Sequence, residues 1–252
     1  MSGNPDLANV WGGADVLVGP ENAVIPAPGV AFGVARSQAI TTTSADATIS
    51  FASGTITAAD IGLSITGTGI PAATTILSIT NLTTAELSAN ATASGTPTAT
   101  IGATNGWSFV GLLDPSAGFT EGIEQSSTDH SAWGYGVIAT TYSDKKTTKT
   151  FTALEENATV MGLVYDVSDM TFDDVAGTYQ GTLKVRDDTT RVRVAFVTTS
   201  GSTTRWKVSE NYATVSASDA GTESEEALGT KAFDVTIFPT ADRELFRTYK
   251  GA

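Results

Sequence analysis

A single histidine, four pairs of adjacent carboxylates and the absence of cysteine set the chemistry open to this chain. His130 lies in Ser127-Thr128-Asp129-His130-Ser131, which holds all three residue types of a nucleophilic triad. Residues this close along the chain do not converge as a triad does, because a triad is assembled from separate elements. A polar loop histidine is therefore expected. The pairs Glu155-Glu156, Asp173-Asp174, Asp187-Asp188 and Glu225-Glu226 are the right groups for glycoside hydrolysis or for calcium. None sits in a loop with ligands at regular alternate positions. Asp187-Asp188 reads as a turn, and Glu155-Glu156 as charge placed at a helix N-terminus. Gly67-Thr68-Gly69 is followed by Ile70-Pro71 rather than Gly-Lys-Ser/Thr, so it is no phosphate loop. No catalytic residue, no cofactor and no metal site is expected, and the chain does not read as an enzyme.

Composition narrows the class further. The 252 residues include only 16% charged ones, and Ser, Thr, Ala and Gly take their place. Without cysteine there is neither a disulfide framework nor a thiolate metal site, so packing and strand pairing must hold the fold. The net charge of -13 is opposite in sign to a nucleic-acid-binding surface, which releases counterions by presenting Lys and Arg. On composition alone the acidity reads first as an aid to solubility, and if the chain meets DNA at all it repels it. The start, Met1-Ser2-Gly3-Asn4-Pro5-Asp6, has no basic or apolar region of a signal peptide, and no apolar run is long enough to span a bilayer. These features predict a protein made in a cytoplasm, or in a particle assembled there, with no membrane partner.

The elements that would position these residues are mainly strands. Between Ser37 and Thr104 the charged residues fall to Asp46, Asp60 and Glu86, Phe51 is the one aromatic, and Ser and Thr fill more than a third of the positions. Ile49 and Phe51 alternate with Thr48 and Ser50, Ile61, Leu63 and Ile65 alternate with Gly62 and Ser64, and Leu87 lies on the side of Ala85 and Ala89. Period two with β-branched residues predicts short strands, with a turn at Gly67-Thr68-Gly69. Residues 37–104 read as an inserted β-module, and 1–36 with 105–252 as the domain that receives it. In that domain Asp114-Pro115 ends an apolar run, and Val137–Tyr142 and Thr147–Ala153 read as a hairpin turning at Ser143–Lys146. Thr152 and Glu155 have capping-box spacing, with Leu154, Ala158, Met161 and Tyr165 on one helical face. Strands follow around Tyr179–Val185, Val192–Phe196, Trp206–Val208 and Phe233–Ile237, with turns at Arg186–Thr189 and Gly201 and an acidic loop at Asp219–Gly229. The fold class predicted is mainly β: an antiparallel sandwich or barrel with one flanking α-helix, plus a small all-β inserted domain.

Several segments in order resemble one family. They are Trp11-Gly-Gly-Ala-Asp-Val-Leu-Val-Gly19, Trp107-Ser-Phe-Val-Gly-Leu-Leu-Asp114, Gly118-Phe-Thr-Glu-Gly122, Ala132-Trp133-Gly134, then the hairpin and a helix ending Gly162-Leu-Val-Tyr165. The order is similar to that of the major tail proteins, or tail tube proteins, of long non-contractile-tailed phages. Residues 37–104 depart from the shortest members. Gly67-Thr-Gly-Ile-Pro71 and Leu87-Ser-Ala-Asn-Ala-Thr92 are similar to a small β-module of many phage structural proteins. The resemblance implies a tail-tube type fold in which six subunits form a ring, sheets join into a continuous barrel, and rings stack into a tube within the virion tail. Implied partners are other copies of the chain, a tape-measure protein and tail initiator and terminator proteins, with DNA passing through and not specifically bound. Under this reading Glu121, Glu124 and Asp129, beside the hairpin, are candidate lumen acids. Lys145 and Lys146, in a Ser143–Lys146 loop, and the N-terminal arm are candidates for ring stacking, and the insert projects from the tube exterior. The competing readings are a β-rich adhesin or capsid decoration protein that binds a host-surface glycan or protein, and a virion-associated glycosidase.

Overall fold

The computed structural model describes residues 11–52, 56–102, 106–173, 178–186, 191–219 and 229–251. The fold is mainly β, and the strand ladders are antiparallel. Strands run β1 (Gly13–Pro20), β2 (Arg36–Thr42), β3 (Thr48–Phe51), β4 (Ile65–Thr66), β5 (Ile76–Asn81), β6 (Thr84–Leu87), β7 (Thr98–Ile101) and β8 (Ser108–Phe109). Then come β9 (Thr120–Ala132), β10 (Gly136–Ala153), the helix α1 (Ala158–Val164), β11 (Met170–Asp173) and β12 (Thr178–Gly181). The last are β13 (Arg191–Ser200), β14 (Thr203–Ser209), β15 (Ala213–Asp219), β16 (Lys231–Ile237) and β17 (Phe246–Gly251). The chain divides into two compact units.

The first unit comprises Met1–Phe109, Val192–Val208 and Thr248–Ala252. Within it, residues 36–101 make a six-stranded sheet in the order β4-β7-β2-β3-β6-β5 with its own core. Alternation places that core: Ile49 and Phe51 on β3 and Ala85 and Leu87 on β6 are buried, and Ser50 and Glu86 between them lie on the opposite face. Leu63 and Ile65 join them, whereas Ile61 is exposed, since it ends a 3-10 turn at Ala58–Asp60. A bidentate ion pair crosses the module's base, from Arg36 Nη1 and Nη2 to Asp60 Oδ1 and Oδ2 at 2.6 and 3.0 Å. Asp60 also accepts from the Thr57 backbone N–H, so a charge that is only 2% exposed is fully satisfied.

Elsewhere in this unit β1 pairs with both β13 and β8, and β13 with β14. Trp107 is fully buried among Leu17, Ala23, Ala195, Trp206 and Val208, and its indole N–H donates to Val24 O at 2.7 Å. Gly19 lies against that ring, where a Cβ would come 2.6 Å from Ala23 Cβ and 3.3 Å from the indole. β14 keeps its expected alternation, Trp206 and Val208 inward with Arg205 and Lys207 between. β13 does not: Val194 through Thr198 are buried in succession, so both faces of that strand are covered rather than one.

The second unit comprises Val110–Arg191 and Ser209–Arg247. β16 pairs with β15 on one side and with residues 147–153 of β10 on the other, and Phe233, Val235 and Ile237 are buried as their period of two predicts. Phe151 stacks on its ladder partner Phe233 with centroids 5.0 Å apart. Two expectations are corrected here. The hairpin does not turn at Ser143–Lys146: β10 is one continuous strand of 18 residues that pairs with β9, and 143–146 is a bulge within it. The turn is at Ala132–Tyr135, closed by Tyr135 N–H to Ala132 O at 3.0 Å, with Gly134 at φ +83° and Gly136 at φ +74°. The capping box is not used either. Thr152 is committed to the ladder with Ala232, and the helix starts four residues beyond Leu154 with Asn157 as N-cap, its Oδ1 accepting from Val160 N–H at 2.9 Å. The helix ends at Tyr165 as expected. β12 is a further departure: Tyr179, Leu183 and Val185 are exposed and form no core face. The N-terminal arm, most of the Arg186–Thr189 turn and most of the Asp219–Gly229 loop lie outside the described residues.

Candidate functional site

The feature that the two halves of β10 create is a long two-stranded ribbon. Its inner half, 147–153, has strands on both sides and buries Thr147, Lys149, Phe151 and Ala153 on alternate positions. Its outer half, from Gly136 to Lys146, pairs among the described residues with β9 alone. Eleven residues at strand rise extend roughly 30 Å. Along the ribbon Ile123, opposite Thr147 at its base, and Trp133, Tyr135, Val137, Ile138 and Tyr142 further out are all exposed, Trp133 completely and Tyr135 to 86%. The gap between two glycines of positive φ forces the tip aromatics outward, because the chain reverses too tightly for their rings to fold back.

Polar groups knit the ribbon across its ladder. Thr140 Oγ1 donates to Asp129 Oδ1 at 2.7 Å, and His130 Nε2 lies 3.0 Å from Thr141 Oγ1. His130 therefore has a hydroxyl partner from the opposite strand, and it is an exposed residue of β9 rather than of a loop.

The candidate lumen acids Glu121, Glu124 and Asp129 all lie on β9. Alternation sends Glu121 and Asp129 to one face and Glu124 to the other, so the three do not form one acidic surface. Glu121 sits opposite Lys149 with Nζ–Oε2 at 3.3 Å. Lys149 is buried and lies 5.9 Å from the centroid of Phe119, so this is the most enclosed cation of the ribbon's base. Glu124 is opposite Lys146 in the ladder. The structure thus brings a candidate lumen acid and a candidate stacking lysine together on one hairpin, and Lys146 is a strand residue. The Lys145 side chain lies outside the described residues.

The acidic pair that falls within the described residues, Glu155-Glu156, has structural partners. Glu155 Oε1 accepts from Leu112 N–H at 2.9 Å, and Asn157 Nδ2 donates to Val110 O at 2.8 Å, which ties the 110–112 segment to the start of α1. Glu156 takes hydrogen bonds from Lys231 Nζ and from Tyr179 O–H, and these two donors hold its carboxyl below the usual glutamate range. Asp114 accepts from Ser116 O–H and N–H, which lowers its pKa and makes it the turn residue that Asp114-Pro115 predicts. Among the described residues no three His, Asp or Glu side chains lie close enough to hold a metal ion. Among them, no helix is long and apolar enough to cross a membrane.

Sequence reasoning missed the exposed apolar set. The four tryptophans are spread along the chain, and Trp107 and Trp206 are buried whereas Trp133 stands in solvent. The signal that separates them is local: Gly134 and Gly136 follow Trp133 and bracket Tyr135, a spacing suited to a reversal. No protein-family model matches the chain, and no curated protein matches it.

Proposed function

We propose that this chain is a non-enzymatic structural subunit that assembles with copies of itself, as stacked six-membered rings, into the tube of a phage tail. The observation that carries this reading is the β9–β10 ribbon. A two-stranded hairpin is marginal in water on its own, and six large apolar side chains along one ribbon are more than a monomeric surface ordinarily shows. Among the described residues β9 pairs with β10 alone, so its other edge is open. Open edges of this kind favour aggregation unless assembly covers them, and a closed ring covers all of them. The order of the Trp107–Asp114, Gly118–Gly122 and Ala132–Gly134 segments supports the tail-tube version of that assembly.

The acidity has a role in this reading. Six copies of a chain with net charge -13 make a strongly anionic ring, and DNA slides past carboxylates without adhering. Screening acts over about 8 Å at physiological salt, so only carboxylates close to the bore matter. The test is sedimentation velocity of the purified chain over a wide concentration range. The reading expects species at multiples of six chains. A monomer that persists at the highest concentration, or a dimer that stops there, would overturn it.

An alternative is favoured by one specific observation. The 36–101 sheet has its own core and leaves Leu77 and Leu82 exposed on or beside β5, as a binding module on a virion surface would. Glycan-array binding by a stable monomer would select that adhesin or decoration reading.

A further inference from the structure

The first unit contains a cleft of about 390 Å³, in the range of real ligand sites. Its floor is one face of the sheet. Asp15 on β1 is the ladder partner of Val197 on β13, and Val197 is the partner of Trp206 on β14. Leu17 lies two residues along from Asp15 on the same face, and it pairs with Phe109 on β8. A second wall, residues 29–32, is set by a turn written into the sequence. Ala27-Pro28-Gly29-Val30 closes with Val30 N–H to Ala27 O at 3.0 Å and Gly29 at φ +81°. Proline and glycine there occupy the two central positions of a type II turn, which pre-set its dihedrals. Phe32 at the end of this wall meets Trp206 edge-on at 5.9 Å, and Trp206 lies 5.6 Å from Tyr249.

The two ends of the cleft differ in chemistry. At one end Phe32, Trp206 and Tyr249 make an aromatic corner. At the other stands Asp15, the one charged residue of the lining. Asp15 is exposed and has no hydrogen-bond or ion-pair partner among the described residues. Alternation sends Arg205 and Lys207 to the opposite face of β14, so neither neutralises it. Phe109, about half exposed, sits diagonally from Asp15 across the β1–β8 ladder. Leu17 and Val197 fill the middle and are apolar. An anion is repelled by Asp15 and by a net charge of -13. A sugar would leave hydroxyls against Leu17, Val197 and the rings without partners. A positive charge carried on an apolar body matches both ends at once.

We infer that this cleft binds a small aromatic cation, an aryl ring joined by a short apolar spacer to an ammonium or guanidinium group. The ring packs in the Phe32–Trp206–Tyr249 corner and the spacer crosses Val197. The cation meets the Asp15 carboxylate beside Phe109, whose ring attracts positive charge. Asp15 and Trp206 stand two strand spacings apart, roughly 10 Å, which suits a spacer of about three carbons. The inference goes beyond the tube reading and stands or falls independently of it.

Isothermal titration calorimetry of the full chain with 3-phenylpropylamine tests the site. The alcohol 3-phenylpropanol and the anion 3-phenylpropanoate are controls of nearly the same shape. The inference expects saturable binding of the amine at about 0.1–1 mM, a range suited to so small a ligand. The alcohol should bind about fivefold more weakly, because an exposed carboxylate contributes modestly, and the anion more weakly still. Asp15→Asn should remove the preference for amine over alcohol. Phe109→Leu, which keeps the apolar bulk, should weaken the amine about threefold and leave the alcohol unchanged. Asp15 is exposed and Phe109 about half so, and both variants should unfold at the wild-type temperature. No saturation by the amine up to about 10 mM, or an amine affinity unchanged in Asp15→Asn, overturns the inference. Tighter binding of the anion does the same. A glycine-flanked arginine peptide that binds more tightly than the amine would assign the cleft to a protein side chain and overturn the small-molecule reading. Tubes that form from chain without an amine site would overturn this inference alone.

Discussion

Glu156 shows how single side chains in this protein do structural work with groups that could have been catalytic. Its carboxylate joins the start of α1 to Lys231 on β16 and Tyr179 on β12, and both donors favour its charged form. Because its folded pKa lies below the unfolded value, its contribution is fully present above the ordinary glutamate range. That contribution is lost as pH falls through the lower folded value. Thermal unfolding measured from pH 7 down to pH 3 should therefore show a Glu156→Gln variant less stable than wild type at neutral pH, with the difference closing at the acid end. A difference that is constant with pH would contradict the assignment. Asp60 gives a second residue-scale prediction. Asp60→Asn leaves Arg36 facing an amide, and the 36–101 sheet should lose about 2–3 kcal/mol, less than for a wholly buried pair because Arg36 retains some solvent. Chemical denaturation followed by a probe in that sheet measures it.

Among the elements, strands with one buried face were legible in the sequence. β3, β6, β14 and β16 alternate in the structure as their residues alternate in type, since period two is imposed by the pleat. Elements whose limits depend on partners were not. The Ser143-Asp144-Lys145-Lys146 run has the composition of a turn, but pairing with β9 across the whole length of β10 overrides it, and the surplus residue is absorbed as a bulge. Thr152 and Glu155 have the spacing of a cap, but β16 claims Thr152 first. The insert yields a prediction at this scale. Arg36 and Ile101 are ladder partners, and Gly102 lies close to Ala35, so the strands that enter and leave the module are adjacent. Replacing 37–104 by a short Gly-Ser linker should leave a folded chain that still assembles, as judged by circular dichroism and light scattering. A folded monomer that has lost assembly would contradict an outer, dispensable module.

For the whole molecule, mainly-β architecture followed from composition and periodicity, while the surface that matters most did not. Trp133 and Trp107 are the same residue, but the β9–β10 ladder, reversing at Gly134, leaves one in solvent while the other lies in the core. Charge acts at this scale as well. Copies that each carry a net charge of -13 repel one another, so assembly should strengthen as sodium chloride rises from about 0.05 M to 0.5 M, where the screening length falls severalfold. Light scattering at fixed protein concentration reads that trend, and assembly that weakens steadily with salt would point to ion pairs between copies. The central claim is that copies of this chain form a hollow tube. Negative-stain electron microscopy of the purified full-length chain at high concentration tests it most directly. The account predicts six-membered rings, or stacks of them with a stain-filled bore. Fields of single small particles at every concentration, or solid fibrils without a bore, would contradict it.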